Sequence, residues 1–110
     1  MSTYTVWKYT IDPRQINDSN EVVVEMPPGA QIIHVGSQRL HPMDEERVRI
    51  WAKVNLDDKG PLCRRKFVVL GTGMEYIHED RNPLSQLMVH IGTVQMMAGL
   101  VFHVFELRDY

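Results

Sequence analysis

The chain has 110 residues, close to the commonest size of one domain, so a single core spanning 1–110 is expected. With 44% hydrophobic and 24% charged residues, it lies outside the disordered and fibrous compositions. A formal net charge of −2 argues against bulk attraction to extended nucleic acid or an anionic membrane, so any basic site must be local.

Period-two alternation dominates and no long 3.6-residue stripe occurs, so strands are expected throughout. In Tyr4–Ile11, Trp7, Tyr9 and Ile11 share one face while Lys8 and Thr10 take the other. Asp12-Pro13 ends this strand, because proline lacks a donor and restricts its predecessor. A polar loop, 14–20, leads to Glu21–Met26, with Val22, Val24 and Met26 inward and Glu21 and Glu25 outward. Pro27-Pro28-Gly29 predicts a type II turn, in which Pro28 sets φ and Gly29 takes it positive. Gln31–Gln38 is the third strand, Leu40–Glu46 an acidic loop, Arg47–Leu56 the fourth strand and 57–61 a surface connection. Arg64–Leu70 is the fifth, closed by Gly71-Thr72-Gly73, with Met74–His78 as an extension beyond a kink. A loop at 79–83 follows, with at most one short helix near Pro83–Met88. Gln86–Gln95 and Leu100–Leu107 form a hairpin around Met96-Met97-Ala98-Gly99. Seven short strands separated by turn signals predict an all-β, mainly antiparallel fold, a small sandwich or barrel.

The lone cysteine, Cys63, rules out an intrachain disulfide, and a reducing cytoplasm is expected. Met1-Ser2-Thr3-Tyr4 shows no leader pattern. The most apolar run, Met96–Phe105, is interrupted by His103 and falls short of the ~20 residues that span a bilayer, so no membrane partner is expected.

The fourth strand carries the most information. Val48, Ile50, Ala52, Val54 and Leu56 form its natural core side, which leaves Arg47, Arg49, Trp51, Lys53 and Asn55 on the other. Burying a large apolar side chain contributes about 1.5–3 kcal/mol, so a tryptophan turned outward among cations needs a reason. Three readings stand open. A loop or second sheet covers Trp51, with the basic stems packed beside it; or Trp51 centres a subunit interface; or its indole stacks a nucleotide-like ligand whose phosphate the cations hold. If the fifth strand buries Phe67 and Val69 and pairs with the fourth, Lys66 comes beside Lys53 and Asn55 on the Trp51 face. An anion, or the acidic loops at 44–46 and 79–80, would then separate the like charges.

Gly71-Thr72-Gly73 either offers backbone N–H groups to a phosphate or simply closes a strand with a positive φ. No Gly-Lys-Ser/Thr follows, so it is not a Walker loop. His103, between Phe102 and Val104 and near Gly92 of the hairpin, is either a satisfied core histidine or a ligand contact. The five histidines form no H-x-H or H-x-x-x-H pair with an acidic companion, so no metal site is expected. No G-x-S-x-G elbow and no histidine near Cys63 occur, and the carboxylates lie mostly in surface runs that indicate no paired acid/base site, so neither an enzyme nor a cofactor is expected.

Glu25-Met26-Pro27-Pro28-Gly29-Ala30, Trp51-Ala52-x-Val54, Phe67 to Gly73, Ile91-Gly92-Thr93-Val94-Gln95 and Phe102-His103-Val104-Phe105-Glu106 follow one another in order. This succession resembles a family of small, functionally unassigned proteins encoded by bacteriophages and prophages, over most of the chain beyond the first strand. Where members of that family often carry His-Pro after the Gly-Thr-Gly, this chain has Met74-Glu75. The resemblance implies phage origin and action in the host cytoplasm, and it supplies no activity. By analogy of context, small non-catalytic phage proteins often neutralise host defences, some as symmetric oligomers that sequester immune-signalling nucleotides. The expected function is therefore capture of a small anionic, nucleotide-like ligand by a non-enzymatic homo-oligomer. Its expected contacts are Arg47, Arg49, Trp51, Lys53, Lys66, Gly71, Thr72, Gly73 and His103. The alternative is a protein-interaction module, a virion component or an inhibitor of a host protein, using the same face.

Overall fold

Buried backbone N–H and C=O groups must be paired, and a chain patterned at period two pairs them between strands. The computed structural model describes residues 1–39, 41, 43, 45–77 and 87–108. These form β1 (Tyr4–Thr10), β2 (Glu21–Met26), β3 (Gln31–Gln38), β4 (Arg47–Asn55), β5 (Cys63–Gly71), β6 (Leu87–Gln95) and β7 (Val101–Arg108). Short 3-10 turns occur at Pro13–Gln15 and Met97–Gly99. All pairings are antiparallel, in a three-stranded sheet ordered β1-β4-β3 and a four-stranded sheet ordered β2-β5-β7-β6. The expected all-β architecture is the observed one. His78, the 79–83 loop, Pro83–Gln86 of the proposed helix and the start of the Gln86 strand lie outside the described residues. Leu87 and Met88, the end of that helix, belong instead to β6, and Met74–Ile77 is not strand.

The core lies between the sheets. Val48, Ile50, Ala52 and Val54 of β4 are buried, as are Phe67 and Val69 of β5, Val104 of β7, and Val22 and Met26 of β2. Leu56, expected beside them, falls just past the end of β4 and is exposed. Trp7 lies opposite Ala52 on the core side of β1, yet remains 44% exposed because β1 is an edge strand. Tyr9, on the same side, has its hydroxyl buried without a hydrogen-bond partner among the described residues.

At one edge the two sheets close on each other. Register shifts at Ile32/His34 in β3 and at His90/Gly92 in β6 bend both strands there, as bulges do. A Cβ on Gly92 would stand 2.7 Å from the Val35 Cβ, so β6 approaches β3 this closely only because residue 92 has no side chain. The Ser37 hydroxyl adds a bond to the Gln95 carbonyl at 3.4 Å.

Among the described residues, one carboxylate is buried. Glu106 of β7 is buried and accepts two bonds from Arg65, at 2.5 and 2.9 Å, and one from Arg108 at 2.7 Å. The third donor of Arg65 reaches the Ala30 carbonyl at 2.6 Å. Burial pushes the Glu106 carboxyl up, but the two guanidiniums together more than offset this and hold it below its ordinary value. At the neighbouring turn, Ala30 N–H donates to the Pro27 carbonyl and Gly29 takes a positive φ of 72°, the type II geometry expected.

Candidate functional site

Strand pleating sends alternate side chains to opposite faces, so the β1–β4–β3 register fixes what lies on the outer face of the three-stranded sheet. Lys8 and His34 flank Trp51 from the two neighbouring strands, Val6 lies opposite Lys53, and Thr10 and Gly36 flank Arg49. The indole of Trp51 is partly exposed and is not sealed by the second sheet, which packs on the other side. The His34 ring leans on it with centroids 5.2 Å apart and planes at 46°. Gly36 makes room for this: a Cβ there would stand 2.8 Å from His34 Nε2 and 3.5 Å from the indole.

Cations surround the rings. Lys53 places its ammonium 5.2 Å from the centre of the Tyr4 ring, a cation–π distance. Lys8 donates to the Gln38 side chain at 2.7 Å. Arg49 is buried and donates to the Gln38 carbonyl at 3.4 Å and to the Thr10 hydroxyl. Among the described residues, no ion pair involves Lys8, Arg49 or Lys53. Arg47 differs, for it reaches Asp12 and Glu45, each at 3.4 Å. Asp12 is held mainly by bonds from the Arg14 side chain and backbone, which pull its carboxyl down to about 2. An aromatic surface edged by uncompensated cations can stack a flat ring and hold an anion beside it.

The expected constellation is divided between two faces. β4 pairs with β1 and β3, whereas β5 pairs with β2 and β7, so the expected approach of Lys66 to Lys53 does not occur. Trp51, Arg47, Arg49 and Lys53 lie on the outer face of one sheet, and Lys66 lies on the outer face of the other, across a molecule about 20 Å thick. Lys66 lines a crevice of about 460 Å³ with Arg64, Glu21, Gln15 and Asn17. Gly71-Thr72-Gly73 closes β5 in a turn, with Met74 N–H donating to the Gly71 carbonyl at 2.9 Å and Gly73 at φ +90°.

On that second face, His103 is neither a core residue nor near Trp51. Its Nε2 lies 2.9 Å from the Thr72 hydroxyl and its Nδ1 3.1 Å from the Thr93 hydroxyl, which also lies 3.0 Å from His90 Nε2. Thr93 has one proton to share between two imidazoles, so the chain Thr72–His103–Thr93–His90 can run its bonds in either direction. Of the expected residues, the structure thus joins Thr72 to His103 and leaves Trp51 apart from both. Tyr4, Lys8, His34 and Gln38 were missed in the sequence; only the outward phase of Lys8 was legible there.

A model of the family described as Domain of unknown function (DUF7352) matches residues 2–110. The chain belongs to this family. No curated protein matches the DUF7352 chain, and no solved structure does. Among the described residues of this DUF7352 protein, no group of three or more His, Cys, Asp or Glu is placed to hold a metal ion. No described helix is long and apolar enough to cross a membrane.

Proposed function

We propose that this DUF7352 protein binds a small anionic ligand with a flat ring, a nucleotide, on the outer face of its three-stranded sheet. Trp51 carries the proposal: a partly open indole beside three cations that have no acidic partner among the described residues. Tyr4 and His34 extend the aromatic surface, and Lys8, Arg49 and Lys53 supply charge. Capture without catalysis, at the boundary between copies of a homo-oligomer, would bury more of the ligand than one shallow face. The resemblance to phage proteins adds a setting, the cytoplasm of an infected cell.

The test begins with Trp7→Phe, which leaves Trp51 as the sole tryptophan and so a specific reporter. Titration with mononucleotides, linear and cyclic, should quench its emission. Trp51→Ala in the wild-type background should weaken binding by about 1–3 kcal/mol, roughly five- to 150-fold, as read by calorimetry, while leaving the fold intact. Response to a short oligonucleotide alone would make the ligand a strand rather than a small molecule. An unfolded Trp51→Ala, or unchanged affinity in it, would place the site elsewhere.

A second reading has its own observation: Tyr4, Val6 and Trp7 of edge strand β1 are 55%, 49% and 44% exposed. Apolar residues along an unpaired edge suit docking of a protein strand. Silence toward every nucleotide, with loss of a captured polypeptide in Val6→Lys, would favour it.

A further inference from the structure

We infer that Arg49 is the seat of a phosphate group and that the Lys8–Gln38 hydrogen bond is a removable cover over it. This rests on the Trp51 reading and adds where the anionic part of the ligand goes. Arg49 is only 6% exposed, although it stands on an outward face with no sheet above it. Taking a charge out of water is costly unless an opposite charge is supplied, and among the described residues none is. Its acceptors are the Gln38 carbonyl and the Thr10 hydroxyl, both neutral, so the charge stays uncompensated among the described residues.

The register places one bond across it. Lys8 stands opposite Trp51 on one side of β4, and Gln38 opposite Arg47 on the other. A bond between them therefore crosses β4 at the level of Arg49. Gly36, directly opposite Arg49, contributes no side chain to that space. The cover is a single bond from a cation to a neutral amide, on a side chain otherwise exposed. A phosphate offers Lys8 a charge-assisted bond, roughly twice as strong as a neutral one, and offers Arg49 the bidentate acceptor its fork fits. Transfer of Lys8 from Gln38 to phosphate uncovers Arg49 and completes a two-cation clamp. Trp51 is two residues along the same strand face, so ring and phosphate occupy adjacent positions.

Pyrophosphate, which has charge but no ring, is the probe, titrated calorimetrically into the full chain at low ionic strength. Gln38→Ala removes the cover and keeps the carbonyl that Arg49 uses, so it should bind pyrophosphate several-fold more tightly than wild type. Arg49→Lys keeps the charge but loses the fork, and should weaken binding about tenfold or more. Trp51→Ala should leave pyrophosphate affinity nearly unchanged. Absence of pyrophosphate binding, or equal or weaker binding in Gln38→Ala, overturns the inference even where Arg49→Lys fails to fold. If pyrophosphate obeys these variants while nucleotide affinity ignores Trp51→Ala, the platform is wrong and the phosphate seat stands. The reverse pattern sinks the seat alone.

Discussion

A carboxylate gripped by two guanidiniums inside a sandwich, as Glu106 is by Arg65 and Arg108, stabilises the fold only while it is charged. Its folded pKa is depressed, so that stability is present above the ordinary carboxylate value of 4.5 and is lost as pH falls below it. Asp12, drawn from 3.8 to about 2, extends the loss to lower pH. The urea midpoint should therefore decline from about pH 5 downward. Glu106→Gln should flatten the upper part of that decline, and an equally steep acid limb in the variant would refute the assignment. At neutral pH the same substitution strands a charged Arg65, at a cost of about 3–5 kcal/mol in urea unfolding. Tyr9 offers the opposite sign. Its buried hydroxyl has no partner among the described residues, so Tyr9→Phe should raise stability by up to about 1 kcal/mol. A clear loss would mean that water satisfies the hydroxyl.

Between strands, two glycines make the same chemical change instructive. Gly92→Ala drives a methyl into Val35 where β3 meets β6, and both atoms belong to bulged strands packed face to face. Overpacking of this kind costs about 1–3 kcal/mol, so thermal unfolding should begin several degrees earlier. Gly36→Ala meets His34 Nε2 instead, the end of a side chain that can turn away. Its melting temperature should fall less, while the displaced His34 changes the emission of Trp51. Equal melting losses would show that His34 is fixed in place. The elements themselves were largely legible: alternation assigned the faces of β1, β2, β4 and β5, and Pro27-Pro28-Gly29 declared its turn. Alternation does not say which strand lies alongside. Lys66 was misplaced because neighbours in sequence pair as a rule, whereas here the chain crosses from one sheet to the other between β4 and β5.

For the molecule as a whole, long-range pairing sets the kinetics and one face sets the electrostatics. β2 meets β5, and β3 meets β6, only after long loops have closed, so folding should take milliseconds to seconds in stopped-flow fluorescence. Microsecond folding would be incompatible with this topology. The chain carries −2 overall while Lys8, Arg49 and Lys53 gather on one face with no acid between them among the described residues. Anion affinity there should fall as added salt shortens the ~10 Å screening length at 0.1 M, and an insensitive affinity would point to a site held by the ring alone.

The amino-acid order by itself determined which residues turn inward and which outward, because side-chain direction in a strand follows from parity and needs no knowledge of partners. It thereby turned Trp51, Arg49 and Lys53 outward together. Only the tertiary structure decided that Lys8, His34 and Gln38 join them, and that Lys66 and His103 do not. Strands are held to one another by backbone groups that every residue shares, so the choice of neighbour is made by the packing of the whole chain.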